Sequence, residues 1–238
     1  MPTILAIETS SETASAALIC NTTVFQCQTN GVMNHSQSIL PMVQHLLQQA
    51  GIALADCDAI AFGAGPGSFT GVRTACGVVQ GLAFGADLPV IPVVTLLALA
   101  QARLAASGAT EVLCALDARM GEVYWAQYSY DAGQRQWHTR IEPTLSAPAL
   151  VQPLVAEGLA LVGNGFAACA AQFVLPDALL ASADNTLPMA DAVAALAHTE
   201  FAAGRVLPAQ LAQPLYLRNK IALTVAERQL LATAAAAK

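Results

Sequence analysis

An internal repeat constrains the fold of this 238-residue chain more than any other feature of its sequence. The apolar run at residues 112–117 repeats residues 3–8, and each run ends in an acid. Residues 159–165 likewise repeat residues 59–65, with two glycines at the same spacing. A strand followed by Gly-x-Gly is common in α/β proteins, so each match alone is compatible with coincidence. Two matches in the same order favour a duplicated α/β unit.

Hydrophobic periodicity divides the chain into strands and helices. Short apolar or β-branched runs predict strands at residues 3–7, 14–19, 24–29, 59–62, 89–94, 112–117, 123–128 and 159–162. Helical spacing predicts helices at residues 39–50, 69–84, 95–106 and 189–203. Pro41 stands at the beginning of the first helical pattern, so that helix either starts late or has bent first turns.

Composition narrows the classes of function. The net charge is −6, and the ten basic residues are scattered, which argues against this chain alone being the main RNA-binding surface. The longest apolar run is too short and too rich in proline to cross a membrane, and we expect no export signal at the start of the chain. Only 11% of the residues are charged. A low charge with many small apolar residues suggests a surface partly covered by another protein.

A glycine-rich turn at residues 65–71 is the best candidate for a functional site. Gly65 and Gly67 permit a sharp turn, and Ser68 or Thr70 can cap the helix that follows. Free N–H groups at that helix start would favour an anion, either a phosphate or a carboxylate of a partner. The alternative is a tight strand-to-helix turn without a ligand. The Lys of a P-loop is missing.

The helix after this turn carries small residues near one face, namely Thr70, Thr74, Gly77 and Gly81. Glycine inside a helix costs on the order of 1 kcal/mol relative to alanine. Several such glycines therefore indicate that another backbone packs closely there. That backbone belongs to the helix at residues 39–50 of the same chain, to a neighbouring chain, or to both.

Two acids end equivalent strands of the repeat, Glu8 and Asp117, and the duplication is expected to make them face one cleft. Paired carboxylates can hold Mg²⁺ or act as acid and base. We favour the simpler interpretation, in which each acid caps the turn that follows it. No metal site is predicted, because the helical position four residues after His35 is Ile39. Without C-x-x-C pairs, the six cysteines are expected to be reduced core residues.

Five sequence segments resemble the TsaB (YeaZ) family of bacterial tRNA threonylcarbamoyladenosine biosynthesis proteins, from residue 1 to about residue 228. They are residues 4–10, His35-Ser36 followed by Leu40-Pro41, Gly65 to Gly71 with Arg73, residues 117–124, and residues 214–218. The resemblance implies a two-lobed actin/Hsp70/sugar-kinase-like (ASKHA) fold, consistent with the duplication. We expect an N-terminal lobe at residues 1–108, which also packs residues 205–238, and a C-terminal lobe at residues 109–204.

The same resemblance implies a cytoplasmic, non-catalytic partner of the catalytic protein TsaD and the ATPase TsaE. Their product is N6-threonylcarbamoyladenosine at position 37 of tRNAs that read codons beginning with A. ATP and Mg²⁺ would be used by the complex, tRNA would be contacted indirectly, and no cofactor would bind tightly to this chain alone. Family members also form homodimers through helices of the N-terminal lobe. An interface role is thereby implied for Ile39, Val43, Leu46, Thr70, Thr74, Gly77 and Gly81.

Two departures from nucleotide-binding relatives favour a vestigial cleft. Glu8-Thr9-Ser10 stands where a phosphate loop of the type Asp-x-Gly-Thr is expected, and bulky Arg119 stands where a glycine would let phosphate approach. Such a cleft would include Glu8, Thr9, Ser10, Gly65, Gly67, Ser68, Asp117 and Arg119, with no catalytic residue. The alternative is an independent ATPase or small-molecule kinase of the ASKHA type. A glycoprotease-like peptidase is disfavoured, because the His-x-x-x-His of metal-binding relatives is absent.

Overall fold

A duplicated strand order organises the protein, whose structure, a computed structural model, describes residues 1–30 and 35–218. The first sheet has the order β3-β2-β1-β4-β5, and the second has the order β8-β7-β6-β9. β1 and β6 each pair antiparallel with the next strand and parallel with β4 or β9, respectively. The two halves therefore share one topology, which confirms the predicted α/β duplication and two-lobed fold.

The predicted strands are present, together with one that the sequence analysis missed. The first sheet consists of β1 (Ile4–Glu8), β2 (Thr13–Cys20), β3 (Thr23–Asn30), β4 (Ala59–Gly65) and β5 (Val90–Val94). The second consists of β6 (Glu111–Arg119), β7 (Glu122–Asp131), β8 (Gln136–Ser146) and β9 (Ala160–Val162). The missed strand is β8, which lies at a sheet edge and is largely solvent-facing. A polar edge strand has little apolar alternation to detect.

Helices cover both faces of the first sheet. They are α1 (His35–Ala50), α2 (Phe69–Ala86), α3 (Thr95–Ser107), α4 (Gly165–Ala168), α5 (Asp177–Ala181) and α6 (Ala190–Ala202). The four longer ones match the predicted helices. α1 begins at His35, so Pro41 lies inside it and the alternative of a late start is wrong. None of the helices in the described parts of the chain has the length and apolar character needed to cross a membrane.

Alternate residues of β1 point into two separate cores, as the period of two in a strand requires. Leu5 and Ile7 pack with residues of α1 and α2, whereas Ile4 and Ala6 pack with residues of α6. Ile39, Val43 and Leu46 of α1 belong to the first of these cores and are almost fully buried there. The prediction that these three side chains form a partner interface is therefore wrong, because the protein's own sheet covers them.

The lobe boundary also needs correction. α6 was assigned to the C-terminal lobe at residues 109–204, yet Val193 and Ala197 pack against the sheet of the N-terminal lobe. After α6, the chain stays on this lobe, where Leu207 pairs with Val90 and the Leu215 amide donates to the Ala64 carbonyl at 2.7 Å. The remainder of the predicted C-terminal segment, residues 219–238, lies outside the described residues.

Candidate functional site

A cleft of about 320 Å³ lies between the two lobes. Its walls are the β1–β2 turn, the glycine-rich turn after β4, the end of β6 and residues 215–218. Of the predicted cleft residues, Ser10, Gly67, Ser68, Asp117 and Arg119 line it. Glu8, Thr9 and Gly65 lie behind the wall. The expectation that Glu8 and Asp117 face one cleft is therefore wrong, because only Asp117 lines it.

The glycine-rich turn is packed against the protein's own β1–β2 turn. A side chain at Gly67 would lie 2.6 Å from Ser10, and one at Gly71 would overlap the carbonyl of Thr9. The Ser68 amide donates to the Ser10 carbonyl at 2.7 Å, and the Thr9 hydroxyl donates to the Gly71 carbonyl at 2.7 Å. The space that these two glycines leave free is thus filled by the chain itself. This geometry matches the tight-turn alternative, because the protein's own turn occupies the side-chain direction at both glycines, while Gly67 also lines the cleft.

Gly65 has a separate role. Its φ is +105°, a conformation that favours glycine, and its amide donates to the Thr95 hydroxyl at 3.1 Å. The peptide bond from Gly65 to Pro66 is cis. At the end of the turn, Ser68 caps α2, with its hydroxyl oxygen accepting from the Gly71 amide at 3.4 Å. The predicted Ser68 cap is therefore confirmed.

Glu8 is a buried acid held by its own turn. Its Oε1 accepts from the Ser10 amide at 2.5 Å, and its Oε2 accepts from the Thr95 hydroxyl at 3.5 Å. Burial raises the pKa of the Glu8 carboxyl, and the hydrogen bonds from Ser10 and Thr95 offset part of this rise. The Ser10 hydroxyl lies beside this carboxyl and lowers its pKa. The same hydroxyl is buried, and its position fits a well-formed hydrogen bond with none of the described residues. Gly63 is required next to Glu8, because a side chain there would overlap Oε2.

Asp117 repeats this arrangement in the second half. Its Oδ1 accepts from the Arg119 amide at 2.7 Å, two residues on, as Glu8 accepts from Ser10. Its Oδ2 lies 3.0 Å from the Arg119 guanidinium, whose side chain is 80% exposed. Asn164 accepts from the Asp117 amide at 3.0 Å. The favoured interpretation, that each acid caps its own turn, is confirmed at both positions.

The described residues contain no group of three or more His, Cys, Asp or Glu side chains placed to hold a metal ion. His35 is buried, with its Nε2 3.4 Å from the Glu12 carbonyl. The cysteines are free thiols, and burial raises the pKa of Cys57 to about 11. A thiol with such a pKa is neutral near pH 7 and is a poor nucleophile or metal ligand.

The small-residue face of α2 is open. A side chain built at Gly77 or Gly81 would meet no atom within 4 Å, so close packing inside the chain does not explain these glycines. Thr70 is exposed, and the Thr74 hydroxyl donates to the Thr70 carbonyl at 2.9 Å. Phe84 on the same helix is 80% exposed. Close packing against the helix α1 of the same chain, one of the alternatives for this face, is therefore wrong at Gly77 and Gly81.

Several residues around the cleft were not predicted. Thr95 links Glu8 to Gly65, and Asn164 holds the start of the β6–β7 turn. Neither has a local pattern that would identify it, because each acts on a residue distant in sequence. Tyr216 and Arg218 do stand in the family segment at residues 214–218, which was the available signal.

The known proteins that this chain is similar to include proteins of tRNA threonylcarbamoyladenosine synthesis. Residues 25–224 match a family model described as TsaD, tRNA N6-adenosine threonylcarbamoyltransferase. The chain is 42% identical to the tRNA threonylcarbamoyladenosine biosynthesis protein TsaB of Escherichia coli, covering 92% of this chain and 96% of that protein. It is 39% identical to TsaB of Haemophilus influenzae, with 92% and 94% covered. The structure of YeaZ from Pseudomonas aeruginosa superposes with a TM-score of 0.83 at 38% identity, covering 91% of this chain and all of that one.

Gly71→Ala and Gly77→Ala should change stability in opposite directions. Gly71→Ala forces a methyl group onto the Thr9 carbonyl, and overpacking of this kind costs about 1–3 kcal/mol. Gly77→Ala places its methyl group in open space within a helix, so it should raise the free energy of unfolding by about 1 kcal/mol. Urea unfolding followed by circular dichroism measures both. Equal effects would contradict the packing described for Gly71.

Glu8→Gln should flatten the pH dependence of stability. The pKa of Glu8 in the folded protein lies above the usual 4.5. The contribution of the protonated carboxyl to the free energy of unfolding is therefore fully present below pH 4.5 and is lost as pH rises through the folded pKa. For one proton, the free energy of unfolding falls by at most about 1.4 kcal/mol per pH unit over that window. Unfolding titrations from pH 4 upward should show this fall in the wild type and a smaller one in Glu8→Gln. Exposed Glu12, on the same turn, provides the control Glu12→Gln, which should behave like the wild type.

Proposed function

Because the chain belongs to the TsaB family of tRNA threonylcarbamoyladenosine biosynthesis proteins, we propose that it serves this modification as a non-catalytic partner subunit. In this proposal it activates or scaffolds TsaD, works with the ATPase TsaE in the cytoplasm, and contacts tRNA only through the complex. The product is N6-threonylcarbamoyladenosine at position 37 of tRNAs reading codons that begin with A. ATP and Mg²⁺ are used by the complex and are not bound tightly by this chain alone.

One observation supports the non-catalytic role above all others. The β1–β2 turn occupies the space toward which side chains at Gly67 and Gly71 would point, so the backbone that approaches these glycines is the protein's own. Glu8 is fully buried, and both acids at the strand ends accept a hydrogen bond from the amide two residues on. Both halves of the duplicated fold are present, whereas the acid at the end of each repeated strand is hydrogen-bonded by the chain itself.

The outward face of α2 supports the partner role. Thr70, Gly77 and Gly81 are exposed, without atoms packed over them. Glycines allow the backbone of another helix to approach closely, and exposed Phe84 adds an apolar anchor beside them. We assign this face to TsaD and, in the absence of TsaD, to a second copy of the chain. Since Ile39, Val43 and Leu46 are buried, α1 would contribute only its outer residues, such as Leu40 and Pro41.

An independent ATPase or small-molecule kinase is the second candidate, and the remaining interlobe cleft of about 320 Å³ is the observation in its favour. Its walls carry Arg119 and Arg218, but both guanidinium groups are already paired with acids. A glycoprotease-like peptidase finds less support. His35 is buried, and Ile39 stands where a second histidine ligand would be needed.

Reconstitution tests the proposed role. The purified chain alone should neither hydrolyse ATP nor modify tRNA, and its addition to TsaD, TsaE and the remaining components should restore modification, measured as threonylcarbamoyladenosine per tRNA. Calorimetric titration of the isolated chain with Mg-ATP should show no tight binding. Modification that proceeds equally well without this chain would contradict the partner role, and tight Mg-ATP binding would favour the kinase.

Gly81→Trp should weaken association with TsaD by at least about tenfold in Kd, or about 1.4 kcal/mol, because an indole at the centre of the small-residue face separates the two surfaces. Co-purification and calorimetry measure the change. Gln136→Trp, at an exposed position of the distant strand β8, is the matched control. If Gly81→Trp binds TsaD as the wild type does, the α2 face is not the interface.

A further inference from the structure

Residues 214–218 run across the mouth of the interlobe cleft and contact both lobes. We propose that this segment, which we call the clasp, fixes the angle between the lobes, with Tyr216 as its anchor on the N-terminal lobe and Arg218 as its anchor on the C-terminal lobe. This role concerns the conformation of the free chain, so it holds whether or not the proposed partner function is correct.

The N-terminal anchor combines a backbone hydrogen bond with a side-chain cluster. The Leu215 amide donates to the Ala64 carbonyl at 2.7 Å, which adds the clasp to the end of β4. Arg73 Nε donates to the Tyr216 hydroxyl at 2.7 Å. The guanidinium of Arg73 also lies 3.5 Å from the centre of the Phe69 ring, which is 5.9 Å from the Tyr216 ring. Tyr216 is therefore held against the first two turns of α2 by its tilted contact with the Phe69 ring, by the Arg73 guanidinium 5.4 Å from its own ring centre, and by its hydroxyl.

The C-terminal anchor lies two residues further along the chain. Leu217 packs against the core beneath the second sheet. Arg218 then donates from Nη2 to the Ala118 carbonyl at 3.1 Å and to Glu122 Oε2 at 2.6 Å, while Nη1 approaches Met120 Sδ at 3.0 Å. All three acceptors belong to the β6–β7 turn and its flanking residues. Only 15% of the Arg218 side chain is exposed, so this charge-assisted pair is less screened by water than an ordinary surface ion pair.

The base of the cleft is joined separately by α3. Leu96 and Leu99 of this helix pack in the core of the C-terminal lobe, whereas Ala98 packs in a core of the N-terminal lobe. Two bodies joined along one edge can still rotate about that edge, as in hinge closure around a ligand. A second connection at the cleft mouth, through Tyr216 and Arg218, restricts that freedom. The clasp provides the second connection, so the cleft is held at one width.

Arg218→Ala and Tyr216→Phe test this inference on the full chain. Tyr216→Phe keeps the ring and removes only the acceptor for Arg73. Arg205→Ala is the matched control, because Arg205 pairs with Glu200 within the N-terminal lobe region and away from the cleft. Fluorophores on unnatural amino acids at exposed Gln44 and Glu142 report the interlobe distance by single-molecule energy transfer. Hydrogen exchange reports the opening of the clasp and the β6–β7 turn.

The wild type and Arg205→Ala should show one narrow distance distribution that Mg-ATP does not shift. Arg218→Ala should broaden or shift this distribution, and amide exchange at residues 118–122 and 215 should rise roughly tenfold or more. Tyr216→Phe should show a smaller effect in the same direction, because it removes one hydrogen bond. An unchanged distance distribution in Arg218→Ala would overturn the proposal, even if the β6–β7 turn exchanged faster, since the clasp would then have only a local effect.

Discussion

The packing of the β1–β2 turn against the glycines that begin α2 determines the arrangement of the N-terminal half of the cleft. Backbone atoms of Thr9 and Ser10 lie where side chains at Gly71 and Gly67 would be. Hydrogen bonds between the two turns keep them together, and the same contact encloses the Glu8 carboxyl beneath them. A single close approach thus requires the two glycines and buries an acid.

Duplication explains why the same hydrogen-bonded turn borders the cleft from both lobes. The Asp117 carboxylate accepts a hydrogen bond from the amide two residues on, as Glu8 does. The two halves therefore share the same hydrogen-bonded turn. In both halves, the hydrogen bond to the acid comes from the chain itself. Outside the cleft, the face of α2 around Gly77 and Gly81 has no other part of the described chain packed over it.

Periodic features were predictable, and features made by distant contacts were not. The four longer helices and most strands follow from apolar spacing, and the repeat in β1 and β6 predicts the shared strand order. The lobe that α6 covers was predicted wrongly, because an alanine-rich helix shows which face is apolar but not which sheet it meets. Ile39 illustrates the same limit, since an apolar stripe on a helix is equally compatible with a core and an interface.

By itself, the sequence determined the duplicated fold, the family, and the capping of each acid by its own turn, since these depend on local spacing and on motifs a few residues long. Only the tertiary structure decided that Glu8 lies behind the cleft wall, that Gly77 and Gly81 are exposed, and that Arg218 contacts the β6–β7 turn. Each of these depends on how residues far apart in sequence meet in space. Close backbone approaches and long-range ion pairs have no period along the chain, so no local pattern records them.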